Sequence, residues 1–136
     1  MVGILLVSHG QMASGLLDAT ELIVGEQENI AVIELQEKDA IDELETSIEQ
    51  AVQKLNSGDG VLILVDLFGA SPFNASSRVA VRYSNVDVIT GMNLPMLLET
   101  VMNNETSDLE ALIEIATNAG LGGVKVLKQL LNNQTD

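Results

Sequence analysis

The 136-residue sequence has no cysteine, no tryptophan and a single histidine, His9. Without cysteine there is no disulfide framework, no zinc–thiolate site and no thiol chemistry, and one histidine cannot build a multi-histidine metal site. Lysine and arginine total 6 against 20 aspartates and glutamates, which leaves a net charge of −14. The only aromatic side chains are Phe68, Phe73 and Tyr83. A chain with this charge and so little stacking surface is not expected to bind nucleic acid.

Long apolar runs are also missing, because no segment approaches the ~20 residues that a membrane-spanning helix needs. The apolar start of the chain, residues 1–7, lacks a basic n-region and reads as a first strand rather than a signal peptide. We therefore expect a cytoplasmic protein that is not embedded in a membrane. The length fits one domain, predicted over residues 1–131, with 132–136 as a flexible tail.

Short apolar runs rich in β-branched residues alternate with longer segments of helical periodicity. This alternation predicts an α/β fold, and strands that are apolar on both faces favour a parallel sheet covered on both sides. We predict a single doubly wound domain with a mainly parallel sheet of order 2-1-3-4. The predicted strands are 2–7, 30–35, 61–65, 86–90 and a short last one at 124–127; the predicted helices are 12–24, 40–55, 71–83, 95–102 and 107–119. The expected helix starts are Asp39, Ser71 and a capping box at 107–110, and the expected break before the last strand is Gly120–Gly123.

Polar residues concentrate where the apolar strands end, the edge at which open α/β sheets bind ligands. His9 ends the first strand and Asp66 follows the third, so a 2-1-3-4 order makes them face each other. A carboxylate on one ring nitrogen fixes the tautomer and leaves the other nitrogen as nucleophile or base. His9 and Asp66 are therefore the candidate catalytic pair.

The segment after Asp66 predicts an anion site. Ser71 opens a helix next to free backbone N–H groups, and Gly69 and Ala70 precede it in a loop that could cradle a phosphoryl group. Gly10 leaves room beside the histidine for a second molecule and is, with Ser71, Gly69 and Ala70, a candidate phosphate-binding residue. Arg78 and Arg82 are better explained as partners in surface salt bridges with acidic residues than as phosphate ligands. The methionines are expected to pack in the core or at its rim, and Asn93 is expected to cap the helix near Pro95.

Three familiar α/β classes lack their required residues here. A response-regulator receiver needs acidic metal ligands where Ser8 and His9 stand, and a flavodoxin needs a hydroxyl-rich loop after the first strand. A P-loop enzyme needs a glycine-rich loop ending in Lys-Ser/Thr. What remains is a domain without metal or cofactor that carries one poised histidine and an anion site. This combination fits a phosphohistidine carrier better than a hydrolase.

Four segments, in order along the chain, resemble the mannose-family IIA components of the bacterial phosphoenolpyruvate:sugar phosphotransferase system. They are the strand end Ser8-His9-Gly10 with the helix after it, the turn 25–29, the segment 65–74 ending in Ser-Pro-Phe-Asn, and the segment 91–97. Leu67-Phe68 departs from the pattern, because some members have a hydroxyl residue and tryptophan there.

The resemblance implies that His9 is a transient phosphohistidine at Nε2, with Asp66 holding Nδ1–H and Ser71 and nearby amides contacting the phosphoryl oxygens. It implies HPr as phosphate donor, a IIB component on a separate chain as acceptor, and a functional link to membrane IIC and IID components. It also implies a homodimer in which a C-terminal antiparallel strand, 124–127, is exchanged across a hinge at 120–123.

Two other functions stay open at this point. One is the related phosphocarrier subunit that serves a dihydroxyacetone kinase, although residues 71–74 favour the sugar branch. The other is a regulatory binding module that uses histidine phosphorylation as a signal. The transported sugar is not readable, because in this system specificity resides in the membrane components.

Overall fold

The computed structural model describes residues 1–134 of the chain. Its four strands form one sheet, all parallel and in the order β2-β1-β3-β4, so the predicted α/β class and strand order are confirmed. The strands are β1 (Gly3–His9), β2 (Ile30–Leu35), β3 (Val61–Val65) and β4 (Val86–Ile89). The helices in this part of the chain are α1 (Met12–Val24), α2 (Ile41–Leu55), α3 (Ser71–Ala80), α4 (Leu94–Asn103), α5 (Leu109–Gly122) and α6 (Leu127–Gln134).

The sheet separates two hydrophobic layers, because successive side chains of a strand point to opposite faces. Leu5 and Val7 of β1 face α2 and α3, where they pack with residues such as Ile48 and Val79. Ile4 and Leu6 face the other layer, formed by α1, α4 and α5. This alternation predicts that His9, two residues beyond Val7, projects on the α2–α3 side, and that Ser8 projects on the α1 side.

Helix starts differ from the sequence-based expectation at three places. The N-cap of α3 is Ala70, so Ser71 is the first helical residue rather than the cap. The N-cap of α2 is Ala40, because Asp39 Oδ2 instead accepts the Gln36 N–H at 2.7 Å within the preceding turn. At α5 the cap is Asp108, not Ser107, since Asp108 Oδ1 accepts the Ala111 N–H at 2.8 Å.

The helices α4 and α5 meet closely at the end of the sheet where the strands terminate. Asn93 caps α4 by accepting the Met96 N–H at 3.0 Å, as predicted, and also donates to the Gly120 carbonyl oxygen at 3.1 Å. A Cβ on Gly120 would lie 2.6 Å from Met96 Cε. The glycine cluster at 120–123 therefore does not break α5 where expected: α5 runs to Gly122, and the missing Cβ allows close helix packing.

The predicted last strand is not found within the described chain. Residues 124–126 have no regular structure, and α6 begins at Leu127. A strand needs a neighbouring strand for its hydrogen bonds. Here Val124, Val126 and Leu127 instead have side chains 79, 52 and 68% exposed. Since α6 runs to Gln134, residues 132–134 are helical rather than a loose tail, while 135–136 lie outside the described residues. The domain boundary at residue 131 stays a prediction.

Of the helices described in residues 1–134, none combines the length and apolar character that crossing a membrane requires.

Candidate functional site

The pair His9–Asp66 lies at the edge where β1 and β3 end side by side. Val7 and Val65 are register partners; His9 ends β1 two residues later, and Asp66 directly follows β3. His9 Nδ1 lies 2.7 Å from Asp66 Oδ2, and the His9 backbone N–H donates to the same oxygen at 2.9 Å. The structure therefore brings together the two residues that the sequence predicted would face each other.

Asp66 is largely buried, with a side chain 10% exposed, whereas the His9 side chain is 49% exposed. Burial raises the pKa of Asp66, but the hydrogen bonds from the His9 backbone and ring outweigh it, and the pKa lies below its ordinary value. Asp66 is thus an ionised carboxylate near neutral pH. Its other oxygen, Oδ1, is buried and has no hydrogen-bond partner among the described residues.

This geometry selects one tautomer of the neutral His9 ring. An ionised carboxylate can only accept hydrogen bonds, so Nδ1 must carry the proton. The lone pair is then on Nε2, the nitrogen that makes no hydrogen bond within the described residues. An exposed, unprotonated ring nitrogen oriented by a buried carboxylate is a nucleophile or base.

The loop from Asp66 to Ser71 connects this pair to the start of α3. Gly69 adopts φ +83°, a left-handed conformation that favours glycine. Asn74 ties the loop to α3, because its backbone N–H donates to the Ala70 carbonyl at 2.9 Å and its side chain to the Gly69 carbonyl at 3.3 Å. The sequence alone did not indicate this role of Asn74, which stands out there only as the last residue of the Ser-Pro-Phe-Asn motif.

The start of α3 carries no side-chain cap within residues 1–134, and its first turn has no acidic residue. Since Pro72 has no N–H, the first-turn donors nearest the loop are the backbone groups of Ser71 and Phe73. The Ser71 hydroxyl likewise has no hydrogen bond among the described residues. These groups could bind an anion.

Gly10 contributes space rather than a donor. It adopts φ +53°, and no atom lies within 4 Å of where its Cβ would stand. Its N–H already donates to the Leu35 carbonyl at 2.9 Å. The Gly10 N–H is therefore already used, and a part for Gly10 in phosphate binding stays a prediction.

The remaining residues named from the sequence lie elsewhere. Arg78 and Arg82 of α3 form ion pairs with Glu45 of α2, at 3.5 and 2.7 Å, and Arg82 also pairs with Glu49. They are the surface salt bridges that the sequence favoured. Met92 and Met96 are buried in the core, while Met12 and Met102 are exposed.

Two further surface features surround His9. An open groove beside its ring is lined by the β2–α2 connection and the start of α2, including Leu35, Glu37, Asp39 and Ile41. After β3, the side chains of Leu67 and Phe68 are 60 and 73% exposed. The Phe68 ring packs against Phe73 with centroids 4.8 Å apart, which holds it outward on the α3 start.

The fold and the site define an open-sheet α/β protein with a carboxylate-oriented histidine at the carboxyl edge. Comparison with known proteins specifies the class: residues 3–117 match the family model described as the PTS system fructose IIA component. The chain belongs to this family of IIA components of the bacterial phosphoenolpyruvate:sugar phosphotransferase system.

Relatives and solved structures agree with this family. The chain is 38% identical over 128 residues to the "PTS system mannose-specific EIIAB component" of Escherichia coli, covering 93% of this chain but 40% of that protein. It is 34% identical to the "PTS system sorbose-specific EIIA component" of Lacticaseibacillus casei, covering 81 and 79% of the two chains. A crystal structure of a PTS IIA protein associated with the fucose utilization operon of Streptococcus pneumoniae superposes with a TM-score of 0.85 at 34% identity, covering 96 and 99%.

Proposed function

We propose that this IIA component is a phosphotransferase that works through a phosphohistidine at His9 Nε2. HPr supplies the phosphoryl group, and a IIB component receives it for sugar uptake. The Nε2 lone pair attacks phosphorus while the bond from phosphorus to the donor breaks; the second transfer reverses these roles. The observation that carries the proposal is the contact of Asp66 Oδ2 with His9 Nδ1, which leaves Nε2 free and exposed.

Asp66 acts on the ring in both transfers. When Nε2 bonds to phosphorus, electron density leaves the ring and Nδ1–H becomes a stronger donor. The carboxylate then stabilises the positive charge that develops on the imidazole. Because Asp66 also accepts the His9 backbone N–H, ring and carboxylate keep their alignment throughout transfer.

The proposed phosphoryl site is the start of α3. The backbone of Gly69 and Ala70 leads into this helix, and Ser71 offers a hydroxyl and an N–H. Three features support it: no side chain of residues 1–134 caps the helix, its first turn holds no acid, and Asn74 holds the loop geometry. No metal or cofactor is part of this proposal, because helix amides and the hydroxyl can supply the charge stabilisation.

The proposed docking face for HPr and IIB surrounds the exposed His9 edge. Leu67, Phe68 and Ile41 offer apolar side chains, and Glu37 and Asp39 line the groove beside the ring. A face of this kind fits a partner that presents apolar and basic groups around its own phosphorylated residue. The protein works in the cytoplasm, serving IIC and IID components in the membrane.

We also propose a homodimer. Residues 121–131 carry Leu121, Val124, Val126 and Leu127 with side chains more than half exposed, an apolar surface that a second copy would cover. β4 is an edge strand to which such a segment could add. Sedimentation of the whole chain and of one truncated after Gly123 checks this: the whole chain is expected to be a dimer and the truncated one a monomer. A monomeric whole chain would contradict the proposal.

The decisive experiment labels the purified chain with radioactive phosphoenolpyruvate, Enzyme I and HPr. We expect one acid-labile, base-stable phosphate per chain, none in His9→Gln, and rapid loss of label when the cognate IIB is added. Label on another residue of His9→Gln would contradict the proposal. Discharge to a dihydroxyacetone kinase instead of IIB would indicate the related subunit, and label that no acceptor removes would indicate a signalling module.

A further inference from the structure

Exposed apolar side chains lie around the edge that carries His9. Leu67 and Phe68 follow Asp66 in the loop before α3 and are 60 and 73% exposed. Ile41, the first residue of α2, is more than half exposed and lines the groove beside the His9 ring. Exposed apolar side chains that gather near a reactive group indicate a surface for a partner. Phe68 has the largest apolar side chain of the three.

The position of Phe68 places it inside any protein interface centred on His9. To transfer its phosphoryl group, phospho-HPr must bring the phosphorus to His9 Nε2. A standard protein interface buries about 800 Å² on each partner, which corresponds to a disc about 16 Å in radius. Asp66 Oδ2 lies 2.7 Å from the His9 ring, and Phe68 is two residues further, at most about 7 Å along the chain. HPr therefore covers Phe68 when it docks on His9.

The Phe68 ring packs against the ring of Phe73. The centroids lie 4.8 Å apart with an interplanar angle of 45°, within the range of about 4.5–7 Å for favourable aromatic pairs. Phe73 is half-buried in the first turn of α3 and packs against the hydrophobic layer between the sheet and the helices α2 and α3. The ring contact therefore connects an exposed side chain to the core.

We propose that Phe73 is a positioning residue for the docking of HPr. It holds the Phe68 ring in place beside His9, so that Phe68 is a preformed apolar anchor. A side chain that a partner must immobilise loses rotamer entropy on binding, whereas a ring that is already ordered does not. Rigid aromatic side chains near the centre of an interface contribute a large share of the binding energy. This inference rests on the proposed transfer from HPr to His9.

The test uses variants of both rings and a matched control. Phe73→Leu keeps an apolar side chain in the core and removes the ring contact. Phe68→Ala removes the anchor, and the double variant shows whether Phe73 acts through Phe68. The control is Tyr83→Leu, because Tyr83 is half-buried against the same hydrophobic layer but follows α3, at the edge of the sheet opposite His9. The rate of His9 phosphorylation is measured over a range of phospho-HPr concentrations.

The expected changes lie in the half-saturating concentration of phospho-HPr rather than in the maximal rate. Phe73→Leu should raise this concentration about fivefold, the size expected for one aromatic pair. Phe68→Ala should raise it about 30-fold, as for the loss of an interface anchor. In the Phe68→Ala background, Phe73→Leu should have no further effect. Tyr83→Leu should leave the half-saturating concentration at its native value.

A second measurement needs no partner. Phe68 and Phe73 are the only phenylalanines of the chain, so selective ¹³C labelling of phenylalanine rings gives two sets of ring signals. Relaxation of the ring ¹³C nuclei reports how ordered each side chain is. The Phe68 ring should be ordered in the native chain and in Tyr83→Leu, and more mobile in Phe73→Leu.

Equal half-saturating concentrations for the native chain and Phe73→Leu would overturn the inference, and so would a Phe68 ring that is equally ordered in both. A fivefold increase that persists in the Phe68→Ala background, or that Tyr83→Leu reproduces, would also overturn it, because Phe73 would then act through the stability of the fold. Failure of the proposed function gives a different pattern: phospho-HPr would label the native chain at no concentration, and the docking of HPr would be refuted with it.

Discussion

Replacing Asp66 with asparagine separates two roles of this carboxylate, its charge and its choice of histidine tautomer. One oxygen, Oδ2, receives both the backbone N–H and Nδ1 of His9. An asparagine must place its carbonyl oxygen there, because its NH₂ group would meet the backbone N–H donor to donor. The amide oxygen still accepts Nδ1–H, so Asp66→Asn should keep the tautomer and lose only the charge.

The expected effect follows from hydrogen-bond strengths. A bond to a charged group contributes about 1.5–3 kcal/mol and one between neutral groups about 0.5–1.5 kcal/mol. Losing the charge therefore weakens the ring contact by about 1–1.5 kcal/mol, which corresponds to roughly tenfold in rate where the contact strengthens during transfer. Asp66→Ala loses the whole contact and the tautomer selection, and should slow phosphorylation about 100-fold.

Rapid-quench measurement of His9 phosphorylation by phospho-HPr gives the rates. Long-range ¹H–¹⁵N spectra of the ring give the tautomer, and circular dichroism checks that the fold is intact. The native chain and Asp66→Asn should both show Nδ1–H, with Asp66→Ala a mixture.

Two results would refute this reasoning. Asp66→Asn with a predominant Nε2–H tautomer would mean that the shared oxygen does not dictate the amide orientation. Native rates in both variants would remove Asp66 from the mechanism, whatever the tautomer.

The remaining predictions concern stability. Because the folded-state pKa of Asp66 is depressed, the stability that its carboxylate contributes is complete above about pH 4 and is lost as pH falls through the folded pKa. Urea unfolding from pH 2 to 6 should therefore show a shallower loss of stability with acid for Asp66→Asn than for the native chain. An identical slope for the two proteins would contradict this prediction. Gly123→Ala should cost about 1–3 kcal/mol, since its Cβ would lie 2.5 Å from Cγ and 2.9 Å from Cβ of the rigid Pro95 ring. Gly122→Ala, with nothing within 4 Å, is the control and should stay within about 0.5 kcal/mol of native. Asn93→Ala should cost about 1–2 kcal/mol in the same assay, because it removes the α4 cap and the bond to Gly120; a native midpoint would show the cap to be dispensable.

Much of the site was predictable because it depends on strand ends. In a parallel sheet the carboxyl ends of neighbouring strands share one edge, so locating His9 at the end of the first strand and Asp66 after the third was enough to bring them together. The choice between neighbouring cap residues was not predictable. Ser71, Asp39 and Ser107 all favour N-caps, yet the structure places the caps one residue away, at Ala70, Ala40 and Asp108.

The C-terminal segment was harder for a different reason. Its short apolar run, 124–127, has strand-like composition, but a strand forms only with a partner strand. In the described structure residues 124–126 pair with no strand and have no regular structure, and Leu127 begins α6, whose hydrogen bonds are local.

The amino-acid sequence by itself determined the order of elements from β1 to α5, the parallel sheet and the edge on which one histidine and one aspartate meet. These follow from the spacing of apolar residues and from local backbone preferences. Only the tertiary structure decided that one Asp66 oxygen accepts from both His9 donors, and that Glu34 accepts the Ser14 N–H of α1. Those outcomes depend on which face of the sheet each side chain occupies and on contacts between residues far apart in the chain.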